Sequence, residues 1–211
     1  MPPPARQRRR TSVSLLALVT LAGCAFRAAA EPDLEWIDRE AIAAREILVD
    51  TEKRSDRPLT VDVRLAAEIE ASAAAIWDVL KACEVAPEYV PNVVSCKKLE
   101  EVDGGRAELF VQTVKPVFFM PTFEHVFRLD YVPYTRIDVN RVSGPIAHMQ
   151  GSWWLLPQEN GRVLLVYELA LDPGMPIPRF MVRATLKRDL PKIVAAVRER
   201  AEAATAGRSG R

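Results

Sequence analysis

The chain has 211 residues, 49% of them hydrophobic and 27% charged, with a formal net charge of +1. That is enough sequence for one globular domain with a substantial core, and it excludes a polybasic nucleic-acid binder. Three cysteines without a ligand cluster also leave no convincing zinc site.

The positive charge is concentrated ahead of any plausible domain. Arg6, Arg8, Arg9 and Arg10 precede the first acid, Glu31, so removing residues 1–23 would take the net charge from +1 to −3. "RQRRR" is a basic n-region and "SVSLLALVTLAG" an apolar h-region too short to span a bilayer comfortably, the pattern of a signal peptide. "LAGC", Leu21 to Cys24, resembles a bacterial lipobox, in which the Cys24 thiol receives a diacylglycerol and becomes the new N-terminus. The small residues Ala28, Ala29 and Ala30 also suit ordinary cleavage. Either route exports the domain, as a lipoprotein on the periplasmic face of a bacterial membrane or free in the periplasm or medium. Cys83 and Cys96 then remain, either bridged in an oxidising compartment or as two separate buried thiols.

Residues 24–43 are expected to form a tether, 44–204 the folded domain and 205–211 a disordered tail. Strands are predicted over 44–54 and 57–71, the second with Val61, Val63, Leu65, Ala67 and Ile69 on one face. Ser72 can cap the helix that follows, in which Ile76, Val79, Leu80 and Cys83 recur at helical spacing. After a proline-bracketed turn come five strand-like runs, 93–102, 106–114, 122–132, 136–142 and a final hairpin hinged at Asn160-Gly161. A long helix starting near Pro178 carries Val182, Leu186, Leu190, Ile193 and Val197 as an apolar stripe, with a kink expected at Pro191. Antiparallel strands, one early helix and one long final helix read as α+β, the sheet curling around the last helix.

Adjacent Trp153 and Trp154 lie on a strand, so they point to opposite faces of the sheet. Parity assigns Met149, Trp153 and Leu155 to the inner face. Phe123, His125, Phe127, Leu129 and Tyr131 share one face of their strand, and Val163, Leu165, Tyr167, Leu169 and Leu171 one face of theirs. The outer tryptophan is expected to meet the segment around Leu34, Trp36 and Ile37.

"EIEASAAAIWDVLKACEVAPEYVPNVVSCKKLEE", "GSWWLLP" and "LLVYELALDPGMPIP" resemble the START-like (SRPBCC) helix-grip superfamily, also called polyketide cyclase/dehydrase and lipid transport. Within it, the coenzyme Q-binding START-domain branch is the nearest likeness, over about residues 45–202. The resemblance implies a helix-grip (START/Bet v1-like) fold, a curved antiparallel sheet wrapped around the long C-terminal helix with a hydrophobic cavity between them. It also implies binding or transport of a hydrophobic small molecule (lipid, quinone or polycyclic) without chemistry and without a cofactor. The alternative it leaves open is a polyketide cyclase/dehydrase-like enzyme using the same cavity, with His125 or Tyr167 as acid–base group.

The cavity is expected to be lined by Phe123, His125, Phe127, Met149, Trp153, Tyr167 and Leu186. His125 could bond a ligand carbonyl or be a satisfied core histidine, and Tyr167 a ligand contact or a packed tyrosine. Arg141 shares the inner parity and could pair with a polar head group or reach solvent. Phe118, Phe119 and Met120, with Met175, Ile177, Phe180 and Met181, could form an apolar gate or simply pack loop against helix. No nucleophile elbow, phosphate-binding glycine loop or catalytic triad is present, and Glu124 and Asp130 fall on the face opposite His125.

Overall fold

The computed structural model describes residues 31–52, 60–116 and 121–209. The expected leader, Cys24 and the segment Phe118, Phe119 and Met120 lie outside the described residues. Eight strands are present: β1 Ile47–Glu52, β2 Val61–Ile69, β3 Val93–Val102, β4 Ala107–Val114, β5 Phe123–Val132, β6 Arg136–Ser143, β7 His148–Pro157 and β8 Val163–Asp172. Three α-helices accompany them: α1 Arg39–Ala43, α2 Ala73–Lys81 and α3 Arg179–Ser209. The strands form one curved sheet in the order β1-β2-β8-β7-β6-β5-β4-β3, antiparallel at every step.

Local chemistry explains the boundaries. The Ser72 hydroxyl accepts from the Ala75 amide at 3.2 Å and caps α2. Gly161, at φ 79°, supplies the left-handed residue that closes the β7–β8 hairpin. β3 is an edge strand, and its exposed Lys97, Lys98, Glu100 and Glu101 discourage pairing with another chain. Between β2 and β3 the chain crosses the sheet through α2 and a 3-10 turn, Cys83–Glu88. A disulfide from Cys83 to Cys96, Cα atoms 5.5 Å apart, ties that turn to β3.

α3 lies against α2, β1 and β2. Val182, Leu190 and Val197 of the expected stripe are buried, Leu186 and Ile193 half-buried, and Val194 and Ala201 are fully covered as well. The helix continues through Pro191 to Ser209, so residues 205–209 are helical rather than a disordered tail.

Core residues fall into two clusters on the two faces of the sheet. The inner one joins Leu65, Phe110, Phe127, Ile137, Leu155 and Leu165 to α2 and α3. The outer one places Trp154, Ala66, Leu164 and Val166 against Ile37 and Ile42, with Leu34 and Trp36 packed alongside. Part of the expected tether is therefore structured: α1, capped by Asp38, forms within it. Trp153 belongs to the inner cluster, so the paired tryptophans serve two different interfaces.

Candidate functional site

Beneath α3, two adjoining chambers open into the concave side of the sheet. The inner one, ≈ 220 Å³, is walled by Phe127, Leu129, Ile137, Trp153 and Tyr167 from the strands, by Leu80, Ala86 and Tyr89 from the α2 connection, and by Leu190, Ile193 and Val197 from α3. The outer one, ≈ 430 Å³, runs past Phe123, Ile146, Leu169 and Leu171 to a rim of Met175, Ile177, Met181, Val182 and Leu186. Val90, Gln112, His125 and Met149 line both and form the waist between them. The strand alternation produces this: inward residues of β5, β7 and β8 all have the parity that the apolar rows predict.

The waist carries the polar chemistry. His125 on β5 is opposite Gln112 on β4, and its Nε2 lies 3.1 Å from Gln112 Oε1. Burial pushes the imidazole down to about 4, so it is neutral at physiological pH. With the amide oxygen as acceptor, Nε2 carries the proton and Nδ1 keeps a lone pair, which is buried and has no partner among the described residues. The Gln112 amide nitrogen has no protein partner among the described residues either. Deeper in, Tyr167 stacks on Trp153 with ring centroids 3.8 Å apart and planes 13° from parallel. The Tyr167 hydroxyl has no protein hydrogen bond among the described residues, and burial raises its pKa.

Two expected lining residues are elsewhere. Arg141 faces Phe127 in the β5–β6 register, but its guanidinium turns to backbone: Nη2 donates to the Gly144 carbonyl at 2.8 Å and Nε donates to the Ile146 carbonyl. The carbonyls hold the guanidinium without neutralising its charge, and Arg141 is not among the residues that line either chamber. Phe180 is 65% exposed and is not among the residues that line either chamber, whereas its neighbours Met181 and Val182 line the outer one. Phe119 lies outside the described residues. Conversely, Gln112 was not legible as a site residue, since Leu109 and Val111 on one face of β4 are as apolar as Phe110 and Val114 on the other.

The β6–β7 connection is held tightly beside the waist. A Cβ on Gly144, at φ 110°, would come within 2.7 Å of the His125 Cβ and 2.8 Å of the Glu124 carbonyl oxygen. Gly174, at φ 68°, packs equally close on the Pro145 carbonyl and the Ala147 amide.

A second polar group sits on the same concave face, away from the chambers. Tyr131 donates to Glu108 Oε2 at 2.5 Å, Lys98 Nζ lies 3.2 Å from Oε1, and Lys81 Nζ is 3.7 Å from Oε2 and 4.2 Å from the Tyr131 ring centroid. Burial alone would raise the Glu108 pKa, but the bonds from Tyr131 and Lys98 and the charge of Lys81 outweigh it and hold it below the usual range. On the outer face, a solvent-open polar groove of ≈ 400 Å³ runs between β2, β7 and β8. It lacks the apolar walls of the chambers. Among the described residues no His/Cys/Asp/Glu cluster could hold a metal.

Comparison with known proteins agrees with this architecture. The family model described as polyketide cyclase / dehydrase and lipid transport matches residues 69–198. A STAR-related lipid transfer protein from Xanthomonas axonopodis is similar in structure, with a TM-score of 0.63 at 19% identity, covering 72% of this chain and 92% of that one. The ZhuI aromatase/cyclase from Streptomyces sp. R1128 gives 0.58 at 21% identity, covering 68% and 94%. Human STARD10 gives 0.61 at 14% identity, covering 74% and 69%. No curated protein sequence matches the chain.

Proposed function

The chain belongs to the polyketide cyclase/dehydrase and lipid transport family, and from that premise we propose that it binds and carries a hydrophobic small molecule without transforming it. The observation that carries this reading is the setting of His125. Among the described residues one imidazole lines the cavity, and it is bonded to a carboxamide, lies low in pKa and has no carboxylate beside it. A general base needs a proton affinity near working pH and an orienting acid–base partner, and this histidine has neither. The chambers instead supply apolar area, each Å² buried being worth about 25 cal/mol before binding costs. Quinones, as in the coenzyme Q-binding branch, and polycyclic lipids share that chemistry.

The same proposal extends to place. A leader ending in "LAGC" would export the domain and anchor it through a lipidated Cys24, keeping it at a membrane where apolar cargo resides. The rim of Met175, Ile177 and Met181, with Phe180 exposed beside it, would form the entry for such cargo.

Native mass spectrometry of protein extracted gently from its own membranes tests both parts. The expected spectrum shows one apolar small molecule bound, unchanged after prolonged incubation, on a protein whose N-terminus is a diacylated Cys24. A cargo converted to product on incubation would favour the cyclase/dehydrase alternative.

A further inference from the structure

We infer that the open end of the outer chamber is a docking surface for a membrane rich in anionic phospholipid, on which the domain stands mouth-down. That surface rings the mouth of the carrier's cavity, so the partner named here rests on the carrier reading above.

Charge is divided unevenly over the chain. Three segments that supply walls of the outer chamber, 109–123, 139–149 and 173–188, hold Lys115, Arg141, Arg179, Arg183, Lys187 and Arg188 and not one Asp or Glu. Residues 24–211 carry a net charge of −3, so everything outside these segments carries −9. The acids that flank them are engaged elsewhere. Glu124 and Asp172 have the outer parity of their strands and accept from the Thr113 hydroxyl and the Gly174 amide, and Asp189 is buried against Arg188 and Lys192.

Four of these cations have no counter-charge. Lys115, Arg179, Arg183 and Lys187 form no ion pair among the described residues, whereas Arg45, Arg64, Arg128, Arg136, Arg162 and Arg200 all do. Arg179 and Arg183 also oppose their own helix, since the start of α3 is the positive end of its dipole and its first turn holds no acid. Such a placement costs stability unless the negative partner lies outside the chain.

Apolar side chains stand among the charges. Phe180 is 65% exposed and Met181 39%, beyond a connection, 173–178, that is itself exposed or half-buried throughout. Helical spacing puts Phe180, Arg183, Ala184 and Lys187 on one face, apart from Val182 and Leu186, which line the chamber. An aromatic ring ringed by cations suits the boundary between lipid head groups and acyl chains. A soluble polyanion would use the cations alone.

The N-terminal segment leads to the same end of the domain. Arg45 is bonded to Glu70 and Glu202, beyond one end of β2. Followed back to Asp33, the chain has reached Arg64, whose register partner Glu168 adjoins Leu169 of the outer chamber. From Cys24 to Asp33 a chain spans at most about 30 Å. An anchor at Cys24 would therefore hold the mouth beside the bilayer.

Vesicle cosedimentation tests the surface, using the leader-free chain 24–211 with Cys24→Ser, which has no attached lipid and keeps every described residue. Vesicles with about one-third phosphatidylglycerol should bind it roughly tenfold or more tightly than phosphatidylcholine alone, and molar salt should remove the difference. Arg183→Gln/Lys187→Gln should weaken binding roughly thirtyfold, about fivefold per cation, and Phe180→Ser roughly five- to tenfold. Lys97→Gln/Arg106→Gln, the same loss of charge away from the mouth, should stay within about twofold of wild type. Equal binding to both vesicle types, or equal losses from the two double variants, would overturn the docking surface. Anion-dependent binding that survives Phe180→Ser would make the partner a soluble polyanion and overturn it as well. Uptake of the apolar probe N-phenyl-1-naphthylamine without vesicles reads the carrier function separately. Equal uptake by wild type and Arg183→Gln/Lys187→Gln keeps the carrier reading whatever the vesicles show. No uptake by wild type ends that reading and the docking inference with it.

Discussion

At one place on the concave face, Glu108 is met by Tyr131, Lys98 and Lys81; at another, His125 Nδ1, the Gln112 amide nitrogen and the Tyr167 hydroxyl have no hydrogen-bond partner among the described residues. Both regions are built from the same strands with the same alternation, and both are shielded by helices. The difference is completeness. A buried polar group with all its partners holds a fold together, whereas one left open is a cost unless something arrives to meet it. The Glu108 cluster is therefore structural, whereas the waist and inner chamber are where the proposed carrier function places its ligand.

Four experiments sharpen or break that contrast, beginning with the largest effect. The Cys83–Cys96 disulfide closes a 13-residue separation and ties a wall of the inner chamber to the strand beside Gln112. Cys83→Ser/Cys96→Ser should cost about 3 kcal/mol by urea unfolding, from the lost constraint on the unfolded chain. Glu108→Leu comes next. It orphans the Tyr131 hydroxyl and two lysines, and should cost roughly 2 kcal/mol without changing probe affinity of the folded protein. A loss of affinity with no loss of stability would place Glu108 in the binding site and break the comparison.

Third is an acid effect. The His125 pKa falls from 6.5 in the unfolded chain to about 4 in the native state, so the unfolded state binds more protons and stability declines as pH drops through that interval. Between pH 7 and pH 4.5 the wild type should lose roughly 1–2 kcal/mol more than His125→Gln, measured as the shift in urea midpoint. Equal losses would show that the imidazole is not neutralised by burial. The smallest effect is the most telling. Tyr167→Phe removes a hydroxyl with no protein bond and should change stability by less than about 0.5 kcal/mol, in contrast to Tyr131→Phe, which breaks a buried bond to a carboxylate and should cost about 1.5–3 kcal/mol.

Much of the architecture was legible in the chain itself. Alternation in Phe123 to Tyr131 is the two-residue period of a half-buried strand, the continuous apolar run Val163 to Tyr167 fits a strand buried on both faces, and Asn160-Gly161 marks the turn between the last two strands. The same parity put Trp153 inside and Trp154 outside. Parity fails where a side chain is long or where both faces are apolar. Arg141 has inner parity, yet its reach lets it bond carbonyls three and five residues along the chain. Gln112 is on a strand whose two faces look alike, so only tertiary pairing with His125 reveals it. Phe180 lines neither chamber because, two residues and about 200° from Val182, it lies off the apolar stripe of its helix.

The two tight glycines give the cavity a mechanical linkage. Gly174 rests on Pro145 and Ala147 behind the rim, Arg141 grips the carbonyls of Gly144 and Ile146, and Gly144 abuts His125. Neither glycine contact has room for a methyl group. On the proposed carrier function, a widening of the entrance at residues 173–178 would press through these contacts on His125 and the glutamine bonded to it, coupling entry to the position of the waist.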